Sequence, residues 1–136
     1  MSADVAEALN RALAAEHAAA YAFPVVAARF AALRAEALNA RQEHEKRRDR
    51  LIELLSLRGS RSIDPLAIYR IPGLDDRESG LSFARSLETA CMGPYAALVS
   101  VTQGQERRIA TTYLSRSAAA VVRWGGAVSP FPGLDA

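Results

Sequence analysis

The chain has 136 residues, and 17 Lys and Arg against 15 Asp and Glu leave a formal net charge of +2. Twenty-eight alanines stand against eight Gly and six Pro, a composition that favours helix and excludes a β-sandwich or a disordered chain. The length suits one domain with a sizeable core, and the single cysteine, Cys91, excludes an intrachain disulfide and a zinc site built from a set of cysteines.

The N-terminal MSADVAEALN has neither a basic start nor an apolar run, so it does not read as a signal peptide. Pro24 is the only Gly or Pro in the first 58 residues. About 55 helical residues at 1.5 Å each would span some 80 Å, so this block must fold back as two antiparallel helices. The sequence predicts helices over about 4–29 and 33–58, with no Gly or Pro to mark the turn. Gly and Pro then cluster with Asp and Ser over 59–80, a long crossover. Its stretch 66–72 is apolar for a loop and is expected to pack along the other helices or against a partner chain. Helices follow over about 80–102 and 105–124, broken at Thr102-Gln103-Gly104-Gln105, with a tail over 125–136 that Trp124 and Phe131 are expected to pin down. Pro24 and Gly93-Pro94 fall inside helices and are expected to kink them. Short links within each pair of helices and one long link between the pairs give an all-α four-helix bundle with a long crossover between helices 2 and 3.

In alternating steps of three and four, helix 1 presents Leu9, Leu13, Glu16, Ala20, Phe23, Ala27 and Phe30. Helix 3 likewise presents Leu81, Ala84, Glu88, Cys91, Tyr95, Leu98 and Thr102. Such seams face a bundle core, so Glu16 and Glu88 each stand where a leucine is expected. A buried carboxylate is costly unless it is paired, hydrogen-bonded or bound to a metal. Helix 2 offers Arg41, His44 and Arg48 on the same face as Leu51 and Leu55, and helix 4 offers Tyr113, Ser117 and Trp124 with Arg116 beside them. The expectation is a buried polar cluster of Glu16, Arg41, His44, Arg48, Glu88 and Arg116. The competing reading puts Glu16 at a seam edge, in reach of water. His17 is turned about 100° from Glu16 and reads as a border contact.

Carboxylates on helices 1 and 3 of such a bundle resemble the ferritin-like superfamily. The chain is also similar to the Ala-rich actinobacterial ferritin-like domains of unknown function, through LAAEHAAAYAF at 13–23, the His-x-x-x-Arg-Asp-Arg-Leu run at 44–51 and FPGL at 131–134. The resemblance implies a first turn near Phe30, which would set Glu16 level with His44. It also implies a di-metal site with one Glu from each of two helices and a Glu-x-x-His pair from each of the other two. Three of those six groups remain, Glu16, His44 and Glu88, because Arg41 stands three before His44 and helix 4 offers only Ser117 and Ala120 at that level. The expectation is that arginine and histidine hydrogen bonds replace the metals, so that no cofactor is held. Glu16, His44 and Glu88 are the fallback ligands for iron or manganese, and Glu88 with Cys91 could take one soft ion.

The leading expectation for function is therefore a non-enzymatic binding or interaction module, acting as a homodimer in the cytoplasm. The alternatives are a di-iron-type oxidase or ferroxidase with an irregular site, and a nucleic-acid or ribonucleoprotein partner. Nucleic acid is disfavoured because acids are interspersed with bases in RQEHEKRRDR at 41–50 and no aromatic residue interleaves with them. No stretch of about 18 apolar residues is free of charge, so no membrane span is expected.

Overall fold

The structure, a computed structural model, describes residues 2–127 and 131–134, and the rest of the expected tail lies outside the described residues. The described residues form four α-helices, a short 3-10 turn and no strand. In order they are α1 (Ser2–Arg29), the 3-10 turn (Ala31–Leu33), α2 (Arg34–Leu57), α3 (Arg77–Val101) and α4 (Gly104–Arg123). α1 packs on both α2 and α3, and α3 packs on α4. No helix among the described residues is long and apolar enough to cross a membrane.

The buried face of α1 runs through Leu9, Leu13, Glu16, Phe23 and Ala27, but it passes through Ala19 and leaves Ala20 half-buried. A helix turns every 3.6 residues, so a strict heptad seam drifts by about 20° per repeat and the core face slides to the neighbouring position. α3 buries Ala84, Glu88, Cys91, Tyr95 and Leu98 as one face, with Thr102 buried as its C-cap. Both helices continue unbroken past Pro24 and Pro94.

The chain reverses at Phe30, whose φ of −127° and ψ of 102° are extended. Any residue adopts that conformation, so the turn needs no glycine and leaves no Gly or Pro in the sequence. The Phe30 ring lies against the start of α3, where a Cβ on Gly80 would come within 2.7 Å of Phe30 Cε2.

α3 starts three residues earlier than the pattern predicts because Asp76 caps it. The Asp76 carboxylate accepts from Ser79 N–H at 2.8 Å, and the Ser79 hydroxyl lies 3.1 Å from Asp76 N–H. Removing this cap with Asp76→Ala is expected to cost about 1 kcal/mol in urea unfolding. An unchanged midpoint and slope would show that the cap contributes nothing.

The crossover is fastened to α1 at its beginning. Asn10 donates to Arg61 O at 3.0 Å and accepts from Ile63 N–H at 2.9 Å, and buried His17 donates from Nε2 to Ile63 O at 3.2 Å. Tyr69 packs on Tyr21 with ring centroids 5.1 Å apart, while Leu66 and Ile68 stay exposed. At the other end Trp124 is buried and stacks on Phe23. Phe131 is 64% exposed. Gly133, at a φ of 82°, comes close to α3, where a Cβ would meet Met92 O at 2.6 Å.

Candidate functional site

Three helices deliver one titratable group each to the middle of the core: Glu16 from α1, His44 from α2 and Glu88 from α3, all essentially inaccessible to water. His44 spends both ring nitrogens on carboxylates. Its Nδ1 donates to Glu16 Oε1, and its Nε2 lies 3.1 Å and 3.0 Å from the two oxygens of Glu88. Phe23 stacks against the ring at 5.4 Å and nearly parallel, which fixes its plane. Glu16 Oε2 accepts from the Tyr95 hydroxyl, and Cys91 Sγ lies 3.9 Å from Glu16 Oε1.

The fourth side is closed by Arg47, a residue the sequence reading passes over. It is 2% exposed and donates to Ser117 Oγ of α4 at 2.7 Å. Its Nη1 lies 3.8 Å from Glu16 Oε2, and its Nε donates to Glu43 at 2.8 Å. Ser117 also lies 3.4 Å from Glu88 Oε1, so every helix contributes to a closed network. Among the described residues no buried side-chain polar atom lacks a hydrogen-bond partner.

The other expected members lie elsewhere. Arg41 is exposed and reaches Glu45 at 3.5 Å, Arg48 pairs with Asp49 at 2.9 Å, and Arg116 is exposed and reaches Glu43 at 3.3 Å. The reason is helical geometry. Arg47 and Arg48 flank His44 at about 60° and 40° on opposite sides, and only the Arg47 side turns towards Ser117. Two adjacent arginines give the sequence no means of choosing between them. Tyr95 and Cys91 were legible in a weaker sense, since both share the seam of Glu88 at spacings of seven and three.

Electrostatics follow the geometry. Burial opposes a charge on His44, but hydrogen bonding to Cys91, Glu16 and Glu88 prevails and pushes its pKa up to about 12. The ring is therefore an imidazolium at neutral pH. Arg47 is likewise held charged, as Glu16 and Glu43 outweigh its burial. Burial and the Glu16 charge raise the Cys91 thiol to about 11 and lift the Tyr95 phenol well above its ordinary value. With two carboxylates, one imidazolium and one guanidinium, the buried charges sum to zero.

Between α2 and α4 a cleft of about 480 Å³ opens onto this network. Arg47 and Glu88 reach its lining, with Glu36, Arg116, Arg123 and Trp124 around them. Glu43 Oε2 joins the buried Arg47 to the exposed Arg116 across it. Those two guanidiniums hold the Glu43 carboxyl below its usual range despite partial burial.

The fold and site define an all-helical domain built on a buried, charge-balanced Glu–His–Glu–Arg network. The chain belongs to the family described as a domain of unknown function (DUF4439), whose pattern matches residues 8–136. It is similar to the crystal structure of a conserved hypothetical protein, rv2844, from Mycobacterium tuberculosis. The two are 28% identical over 91% of this chain and 96% of the other, with a TM-score of 0.85. No curated protein matches the chain.

Proposed function

We propose that the chain is a ferritin-like four-helix bundle that lacks a di-metal centre and works as a non-enzymatic binding module. The observation that carries this reading is Arg47. Its guanidinium, 3.8 Å from Glu16, supplies a fixed positive charge where a dinuclear site would need a second cation. The donor set agrees. Arg41 stands in place of the glutamate three before His44, α4 contributes the Ser117 hydroxyl rather than a carboxylate, and Glu88 is engaged by His44. Two divalent ions need several carboxylates to balance their charge, and Glu16 and Glu88 are already balanced by His44 and Arg47. These residues do not fit a two-metal centre. The cleft between α2 and α4 is the opening through which such a module would meet its ligand.

The test is elemental analysis of protein produced with iron and manganese supplied, beside Glu16→Ala and Glu88→Ala. At most one ion per chain is expected. Two ions per chain, lost in both variants, would replace this reading with a di-iron-type oxidase.

A further inference from the structure

We propose that the part of the cluster facing α3 is a site for a single zinc-like divalent ion, held by Glu16 Oε1, His44 Nδ1 and Cys91 Sγ. The inference goes beyond the reading above and shares with it only the exclusion of a second ion. The three atoms come from three different helices, all lie within 4.8 Å of one another, and their side chains are fully buried. One carboxylate oxygen, one imidazole nitrogen and one thiolate form a donor set suited to zinc or cobalt rather than to magnesium or calcium. Three protein ligands leave the fourth tetrahedral position to water or a small ligand.

The surrounding groups are arranged as an outer shell. Both Glu88 oxygens lie within hydrogen-bond reach of His44 Nε2, which would hold the proton there and turn the Nδ1 lone pair towards the ion. The Tyr95 hydroxyl engages Glu16 Oε2 and leaves Oε1 to coordinate. Phe23 stacks on the imidazole and limits its rotation. The cleft between α2 and α4 reaches Glu88 and Arg47, the immediate neighbours of His44 and Glu16, and stops short of the three ligand atoms themselves.

The charges also balance for one ion and not for two. Coordination displaces the proton on His44 Nδ1 and the thiol proton of Cys91, both of which pass to solvent. A dication then replaces two protons, and the core stays neutral. A second dication would find no comparable pair of protons to displace, with Arg47 already charged beside it.

The experiment is titration of chelator-treated full-length protein with cobalt(II), followed by absorbance. Expected are one equivalent bound, a sulfur-to-cobalt charge-transfer band in the near ultraviolet, the visible bands of tetrahedral cobalt, and release of about two protons per ion. In Cys91→Ser, whose fold is checked by circular dichroism, the near-ultraviolet band should vanish. In Glu53→Gln, far along α2 and exposed, every signal should persist. Absence of a sulfur band in the parent protein, or a band that survives Cys91→Ser, would overturn the site and leave the metal-poor reading standing. Two cobalt ions per chain would overturn both.

Discussion

Glu16→Gln is expected to lower the free energy of unfolding by about 3–5 kcal/mol, the usual cost of breaking a buried ion pair from one side. The substitution keeps the shape of the side chain and removes its charge. What remains is the His44 imidazolium and the Arg47 guanidinium, one turn apart on α2, with Glu88 as the one buried carboxylate between them. The amide also brings an N–H₂ donor to a place where His44, Tyr95 and Cys91 all present donors to Glu16. Urea unfolding measured by circular dichroism reads the loss. Glu53→Gln is the reference, since its carboxylate is exposed and exposed substitutions stay within about 0.5 kcal/mol. A loss for Glu16→Gln no larger than that reference would end the buried-pair account. Combining it with Arg47→Met should cost less than the sum of the two, because the double variant removes one charge of each sign.

Stability of the metal-free protein is expected to fall steadily as pH rises above about 6.5. The groups facing His44 set the sign: Glu16 from α1 and Glu88 and Cys91 from α3, with Arg47 on its own helix near Glu16. Burial works against the charge, but Cys91, Glu16 and Glu88 prevail and hold the folded-state pKa at about 12, far above the ordinary value of 6.5. A group whose folded pKa is raised contributes its full stability below the unfolded pKa and loses it on the way up to the folded one. Between those limits the folded chain carries a proton that the unfolded chain has released, so each pH unit removes about 1.4 kcal/mol. Between pH 6.5 and pH 9 that amounts to about 3 kcal/mol. Above pH 9, Cys91 and Tyr95 add the same sign, since burial keeps both protonated after their unfolded counterparts ionise. Urea midpoints at successive pH values check this, with His44→Gln as the comparison in which the slope near pH 8 should vanish. A flat profile for the parent protein would show that the ring is not held as a cation.

Much of the architecture is legible in the sequence, for reasons that particular residues make plain. The Gly and Pro cluster over 59–80 marks the long link between α2 and α3, the break at 102–105 divides α3 from α4, and the length of the first helical block alone requires that it fold back as two helices. Glu16 and Glu88 stand out because each interrupts a run of apolar side chains, and His44 because it shares a face with Leu51 and Leu55. The remainder depends on angles that residue types do not encode. Arg47 and Arg48 are chemically identical neighbours, and the rotation of α2 decides which is buried. Ala19 and Ala20 raise the same ambiguity on α1. The reversal at Phe30 uses an extended backbone that carries no residue signature, so the sequence marks it with nothing. The cap at Asp76 is different. Asp76 and Ser79 are spaced as a cap needs, but the Gly and Pro pattern that set the expected start near residue 80 does not register them, and the structure shows the helix beginning at Arg77.

The position of Cys91 has a kinetic consequence. It is the chain's one thiol, and it lies at the centre of the folded core against Glu16. An alkylating reagent can reach it only when the helices part, so the rate of labelling counts opening events of the interior. Where reclosing outruns the reagent, that rate gives the population of the opened form, and where it does not, it gives the opening rate itself. The molecule thus carries its own clock for core breathing, placed where its charges meet.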